Sequence, residues 1–271
     1  MATGNILITG ASSGIGLTCA NRLAALGYSV FAGVRKADTP LAPGITPVIL
    51  DVCQPASIHK ALDALAGEPL AGLINNAGIA TIGPLELVNM ADWRHQFEVN
   101  VLGLVAVTQA CLPQLRRGNG RIVNIGSIAG RSALPGSGAY DSSKFAVEGL
   151  SDALRMELRP FGISVSLIEP GAIATGIWRK TLAEFDMRIS DAAPDIRDLY
   201  SHLTSRIREE TTRAANSALP PEAVADAVVD AITASKPKTR YVVGKDARLW
   251  LLLNVLPDRV RDWLILRNLS E

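Results

Sequence analysis

The chain has 271 residues, 48% hydrophobic and 20% charged, with 27 Lys plus Arg against 26 Asp plus Glu and a formal net charge of +1. This excludes a disordered, collagen-like or highly charged chain, and it suits one large α/β domain better than two small ones. Near-neutral charge gives no global case for nucleic acid, and three scattered cysteines, Cys19, Cys53 and Cys111, point to a reducing compartment rather than a disulfide framework or zinc site.

Short aliphatic or β-branched runs mark strands at Asn5–Thr9, Ser29–Val34, Pro47–Leu50, Ala71–Ile74, Arg121–Gly126, Ile163–Glu169 and Arg240–Val243. Between them, apolar residues at helical spacing predict helices over Ile15–Leu26, Ala56–Leu65, Met90–Leu115, Ala139–Phe161 and Glu222–Ala234, with Pro221 in the first turn of the last. The strands are apolar at nearly every position, as expected where helices cover both faces. The predicted class is α/β, a doubly wound Rossmann fold with a single parallel sheet flanked by helices on both faces.

The 172–219 stretch breaks this rhythm. It follows Pro170-Gly171, precedes Pro220, and carries Trp178, Phe185, Met187 and Tyr200 among alternating charges. Connections beyond ~15 residues are usually functional or disordered, so a helical lid is expected there. Residues 1–245 then make the domain, and 246–271 an amphipathic helical extension.

Met1-Ala2-Thr3-Gly4-Asn5 lacks the basic-then-apolar build of a signal peptide, and no run reaches the ~20 apolar residues of a bilayer span. The longest, Leu249–Leu256, is interrupted by Asn254 and ended by Pro257. A cytoplasmic protein is expected. In the tail, Leu249–Leu253 and Trp263–Leu266 are flanked by Arg248, Arg259, Arg261 and Arg267. Three fates are open for these helices, in order of preference: packing on the domain, a subunit contact, or a peripheral membrane contact.

Thr9-Gly10-Ala11-Ser12-Ser13-Gly14-Ile15-Gly16 follows the first strand and opens a helix. Glycines there let a pyrophosphate approach the backbone at a helix N-terminus, although a tight strand–helix turn needs glycines too. TGxxxGxG at Thr9–Gly16, Asn75-Asn76-Ala77-Gly78, Ser127, Tyr140-Asp141-Ser142-Ser143-Lys144 and Pro170-Gly171 together resemble, in order and spacing, the short-chain dehydrogenase/reductase family over about residues 5–245.

The resemblance implies a nicotinamide dinucleotide held by Gly10, Ser12, Ser13, Gly14, Ile15 and Gly16. Asp51, with Val52, would contact adenine, with a plain helix-flanking role left open for Asp51, and Asn76, Ala77 and Gly78 would line the adenosine side, with Asn75 close to the cofactor. Val34 stands where NAD-preferring members have a carboxylate, and Arg35 where NADP-preferring members have a base. NADP(H) is therefore favoured and NAD(H) left open, because Arg35 and Lys36 also suit an ordinary charged loop. Ser13 supplies no second base.

Hydride transfer from an alcohol requires that its hydroxyl proton leave, so a base must reach that oxygen. Tyr140 and Lys144 lie one helical turn apart and project from one face. A phenol near pKa ~10 needs an adjacent cation to ionise near neutrality, and Lys144 supplies one. By resemblance, Tyr140 exchanges the proton, Lys144 lowers its pKa and holds the nicotinamide ribose, and Ser127 polarises the substrate oxygen. Asn100 matches a helix-kinking asparagine that holds a water near the lysine. Pro170, Gly171, Ile173 and Thr175 match the segment beside nicotinamide, with the Ile173 backbone for the carboxamide and the Thr175 hydroxyl for the amide or phosphates.

Ile79, Ile82, Leu85, Ala129, Leu134, Pro135, Ile177 and Trp178 surround the expected mouth, and no charge is evidently placed for an acidic substrate. A bulky hydrophobic alcohol or ketone is the expected substrate, with an overall likeness to the steroid- and retinol-dehydrogenase branch. The family implies a homodimer or homotetramer through the helices bearing Asn100 and Tyr140. His59, His95 and His202 lack metal-ligand spacing, and this chemistry requires no metal. The rivals are a non-catalytic dinucleotide-binding sensor or scaffold and a structural partner subunit.

Overall fold

The structure, a computed structural model, describes residues 4–270; Met1, Ala2, Thr3 and Glu271, parts of the leader and tail readings, lie outside the described residues. Seven parallel strands form one sheet: β1 Asn5–Ile8, β2 Ser29–Val34, β3 Ile45–Ile49, β4 Leu70–Asn75, β5 Arg121–Ile125, β6 Ser164–Pro170 and β7 Arg240–Val243. Their order is β3-β2-β1-β4-β5-β6-β7. Connections run outward in both directions from β1 and β4, and this reversal opens a crevice at the carboxyl ends of the strands.

Helices α1 Gly14–Ala25 and α9 Glu222–Thr233 cover one face; α2 Pro55–Asp63, α4 Gly103–Arg117 and α5 Gly138–Leu158 cover the other. Alternation along β1 explains how both faces stay dry. Ile6 and Ile8 join Cys19, Leu23 and Val228 on the first side, while Leu7 joins Val107, Leu115 and Leu158 on the second. Each fully buried aliphatic side chain contributes about 1.5–3 kcal/mol, so a polar residue on either face of this strand would be costly. The sheet and its two helical layers match the sequence expectation.

Two expectations need correction. Met90–Leu115 is not one helix: α3 Met90–Phe97 passes into a π-helical segment, Glu98–Leu102, before α4. Gly103 opens α4 directly after the break, and Asn100 within it is the residue matched above to a helix-kinking asparagine. The cause is tertiary, because buried Asn100 bonds across to Ile79 and pulls the backbone out of α register. Pro221 lies just before α9 rather than inside its first turn.

The 172–219 stretch folds as α6 Ile177–Asp191, α7 Pro194–Leu199 and α8 Ser201–Asn216, closing with an Ile173–Leu219 bridge. Phe185 and Ile207 pack with Ile82 in a small core of their own, so these helices rest on the loop after β4. The tail forms α10 Lys245–Leu253 and α11 Asp258–Ser270.

Candidate active site

One cleft of about 2310 Å³ runs across the carboxyl ends of the strands. At one end is the turn after β1. Thr9 Oγ1 accepts the Asn76 and Ala77 amides, both at 2.9 Å, and Asn76 Nδ2 donates to the carbonyls of Thr9 at 2.9 Å and Gly10 at 3.0 Å. This clamp locks the glycine turn to the segment after β4. Gly10 has φ +65°, and a Cβ there would meet Ala77 Cα at 2.9 Å, so side chains are excluded on both conformational and steric grounds.

A dinucleotide fits the residues present. Ser13 makes no side-chain cap on α1, and no acid occupies its first turn, leaving its amides and positive dipole end facing the cleft. Gly14 (φ +53°) sits opposite Thr175, whose Cγ2 would be 3.0 Å from an added Cβ, so the two walls nearly meet around the cradle. Gly10, Ser12, Ser13, Gly14, Ile15, Arg35, Asp51, Val52, Asn76, Ala77, Gly78, Pro170, Gly171, Ile173 and Thr175 all line this cleft, as do Ser127, Tyr140 and Lys144.

Several expected residues sit elsewhere or act otherwise. Gly16 does not line the cleft; a Cβ there would meet Asn76 Nδ2 and the Gly10 carbonyl at 2.5 Å, so its role is close packing. Asn75 points away, donating to Thr108 and Asn124, both at 2.9 Å. Asp51 lies beyond the end of β3, where its Oδ1 accepts the Cys53 amide at 3.0 Å and its own amide meets Ser57 Oγ at 2.9 Å. Its position therefore serves the turn into α2 as well as the cleft. Exposed Leu85 is outside the lining. The Ile173 carbonyl is taken by the Trp178 indole at 2.6 Å.

The reacting end is built on α5 and β5. Ser127 lies past β5 and caps a short 3-10 turn, Ile128–Gly130, accepting the Ala129 amide at 3.1 Å. Half-buried Tyr140 is hydrogen-bonded with Ser127. Burial pushes the phenol up to about 12, with the Ser127 bond opposing and the Asp141 charge reinforcing the rise. Lys144 is buried and donates to the Ile125 carbonyl at 2.9 Å; desolvation lowers its ammonium to about 8. Its Nζ stands 5.8 Å from the Tyr140 ring centroid.

Asn100 supports this end from behind and does not line the cleft. Its Oδ1 accepts the Ile79 amide at 2.9 Å, and its Nδ2 donates to the Ile79 carbonyl at 3.0 Å and Ser143 Oγ at 3.1 Å. With both amide protons engaged, the side chain fixes Ile79 and Ser143. Fully buried Gln96, missed in the sequence, repeats the pattern by donating to the Ile79 carbonyl at 3.0 Å and accepting the Thr81 amide at 2.8 Å. A polar residue in the middle of a predicted helix gave no signal of this.

The outer cleft departs from the apolar expectation. Alongside Ile79, Ile82, Ala129, Leu134, Pro135, Ile177 and Trp178, its lining includes Arg179, Lys180, Glu184, Arg188, Glu210 and Arg213 from α6 and α8. Arg188 is already committed, with Nη1 on the Ile82 carbonyl at 2.6 Å and Nη2 on Asp92 at 2.7 Å. The tail also contributes to the wall through Asp246, Trp250 and Ile265. Among the described residues, no group of acidic, histidine or cysteine side chains could hold a metal, and no helix is long and apolar enough to cross a membrane.

Residues 4–185 match the family model described as short chain dehydrogenase. The chain is 40% identical over 269 residues to an uncharacterised oxidoreductase, YbbO, of Escherichia coli strain K12, covering 96% of this chain and 93% of that one. It is 36% identical over 278 residues to mouse (Mus musculus) retinol dehydrogenase 16, covering 96% and 87%. With rat (Rattus norvegicus) mitochondrial D-beta-hydroxybutyrate dehydrogenase it shares 34% over 282 residues, covering 95% and 82%. Among solved structures, a short chain dehydrogenase of Burkholderia cenocepacia in complex with NADP superposes with TM-score 0.76 at 25% identity, covering 97% and 98%. A Burkholderia phymatum short chain dehydrogenase/reductase in complex with NAD gives 0.75 at 26%, covering 93% and 92%.

Proposed function

Because the chain belongs to the short-chain dehydrogenase/reductase family and is an oxidoreductase that binds a nicotinamide dinucleotide, we propose that it interconverts a hydrophobic secondary alcohol and its ketone, steroid- or retinoid-like or another bulky apolar carbonyl, with NADP(H) preferred to NAD(H). One observation carries the reading: Ser127, Tyr140 and Lys144 converge in the cleft that also holds the uncapped N-terminus of α1. A sensor or scaffold has no need of that convergence.

The bound dinucleotide supplies the hydride acceptor or donor. Ser127 orients the substrate oxygen, and Tyr140 exchanges its proton. Lys144 favours the phenolate electrostatically and binds the nicotinamide ribose. Asn100 and Gln96 hold the segment after β4 against α5, so that the cofactor and reacting walls keep their spacing. Helices α6–α8 act as the substrate lid, with Trp178 and Ile177 meeting the substrate. Arg35, exposed at the end of β2, receives the 2′-phosphate of NADP(H), and no carboxylate opposes it at Val34.

A homodimer or homotetramer is supported by exposed Leu102, Phe145, Met156 and Phe161 on or beside α4 and α5. We assign a cytoplasmic location, with weak membrane-surface contact through exposed Leu249, Leu252, Trp263 and Leu266 of α10 and α11. The deciding experiment screens apolar ketones and secondary alcohols while following nicotinamide absorbance with both coenzymes. Turnover of bulky apolar substrates with NADPH is the expected result. Turnover confined to small hydroxy acids would overturn the substrate assignment, and dinucleotide binding without turnover of any substrate would favour the sensor.

A further inference from the structure

Asp141 follows Tyr140 in the first turn of α5, lines the same cleft, and is 3% exposed. Its Oδ2 accepts the Leu134 amide at 2.8 Å, and Leu134 and Pro135 form the adjoining cleft wall. The Arg131–Ser137 loop is further held by the Arg131 and Ser132 amides on the Ile128 carbonyl, a turn from Ser137 N–H to the Leu134 carbonyl at 3.1 Å, Asn254 on the Arg131 carbonyl at 2.7 Å, Asp141 N–H on the Ser137 carbonyl at 2.8 Å and Gly83 N–H on the Gly136 carbonyl at 2.6 Å. One buried carboxylate therefore ties the edge of the substrate mouth to the helix that carries the reacting phenol.

The charges around it are few. On α5 its neighbours in the cleft are Tyr140 and Lys144, and Lys144 donates to the Ile125 carbonyl. From the loop, Arg131 is ion-paired with Glu169. From α3, His95 and Asp92 line the cleft, and Asp92 is paired with Arg188. The contact from α8 is apolar Ile207 against Gly136. Among the described residues no lysine, arginine or histidine is ion-paired with Asp141. An unpaired buried carboxylate is costly to ionise, and burial raises this one to about 7 against the help of the Leu134 amide.

Resting on the dehydrogenase reading of Tyr140, we propose that Asp141 is a positioning residue with two effects: its oxygen shapes the substrate mouth through Leu134, and its charge sets the pH at which Tyr140 exchanges a proton. The sign follows from Coulomb's law. Ionised Asp141 opposes a phenolate on the preceding residue, so the phenol holds its proton more tightly above neutrality than it would beside a neutral side chain.

Two variants separate the effects. Asp141→Asn removes the charge and keeps an oxygen for the Leu134 amide, whereas Asp141→Ala removes both. In the cofactor-free protein, the Leu134 amide resonance of the wild type should move with a midpoint near pH 7, and in D141N it should not move. The alkaline rise of alcohol oxidation should shift down by about one pH unit in D141N, with substrate KM held within about twofold, whereas D141A should raise KM about tenfold. A Leu134 amide that does not titrate, or a D141N profile that superposes on the wild type, overturns the proposal. Dinucleotide binding by tryptophan fluorescence and the inactivity of Tyr140→Phe test the underlying reading separately. If these hold and D141N changes nothing, only the Asp141 proposal falls.

Discussion

The Lys144 ammonium stands 5.8 Å from the centre of the Tyr140 ring and donates to the Ile125 carbonyl at 2.9 Å, so its charge is fixed beside the phenol by the end of β5. Without cofactor, the phenol is held near 12 and the ammonium near 8. A raised phenol pKa means the proton stays on Tyr140 at neutral pH. Carbonyl reduction, which needs that proton, should be nearly flat through neutrality, and alcohol oxidation should climb with pH. Tyr140→Phe should lower turnover by about 10²–10⁴-fold and leave dinucleotide binding intact. Initial rates in both directions across pH, with a binding titration of the variant, check this; near-normal kcat in Y140F removes the phenol from the chemistry.

Asn100 satisfies both backbone polar groups of Ile79 and also reaches Ser143. Asn100→Ala would leave the part-buried Ile79 amide without its partner, at about 1–3 kcal/mol, while Gln96 Nε2 keeps the Ile79 carbonyl at 3.0 Å. Thermal or urea unfolding should show destabilisation of about 1–3 kcal/mol, together with reduced kcat because the Ile79 segment shifts relative to α5. Wild-type stability in N100A would mean that Gln96 alone holds the segment.

The sheet was legible because a strand buried on both faces must be apolar at nearly every position, as Ile6, Leu7 and Ile8 are. The phosphate turn was legible because Gly10 and Gly14 adopt backbone conformations that other residues avoid. Interactions satisfied across the fold were not. Gln96 and Asp141 look like ordinary polar helix positions until the packing buries them, and while the family resemblance marked Asn100 as a kink, the bond that holds the π-helical break reaches a residue in the loop after β4. The charged lining from α6 and α8 was hidden for the same reason: composition gives the character of a segment and not the direction its side chains point.

Arg35 is exposed at the end of β2 and lines the cleft, with buried Val34 before it. A guanidinium contacting a 2′-phosphate is a charge-assisted bond worth about 1.5–3 kcal/mol. Arg35→Ser should therefore lower kcat/KM for NADPH by about 10–150-fold and leave the value for NADH nearly unchanged. Steady-state kinetics with each coenzyme decide it. Equal losses for both would show that Arg35 acts on shared parts of the dinucleotide, and a wild-type preference for NADH would reverse the assignment outright.

The tail presents two surfaces with different consequences. Its inner side is built in: Ala247 is buried, Asp246 accepts the Ala172 amide at 2.8 Å, Asn254 donates to the Arg131 carbonyl at 2.7 Å, and Trp250 and Ile265 line the cleft. Its outer side leaves Leu249, Leu252, Val255, Val260, Trp263 and Leu266 exposed. Trp250→Ala should thus raise the KM of a bulky substrate about tenfold or more, since losing a large apolar contact costs on the order of 1–3 kcal/mol. Leu252→Ser with Trp263→Ser should leave kcat and KM unchanged, while reducing sedimentation with anionic vesicles. A double variant that instead changes oligomeric mass, with vesicle binding unmoved, would assign the outer side to a second copy of the chain. If W250A binds and turns over bulky and small substrates as the wild type does, the tail is no part of the substrate wall.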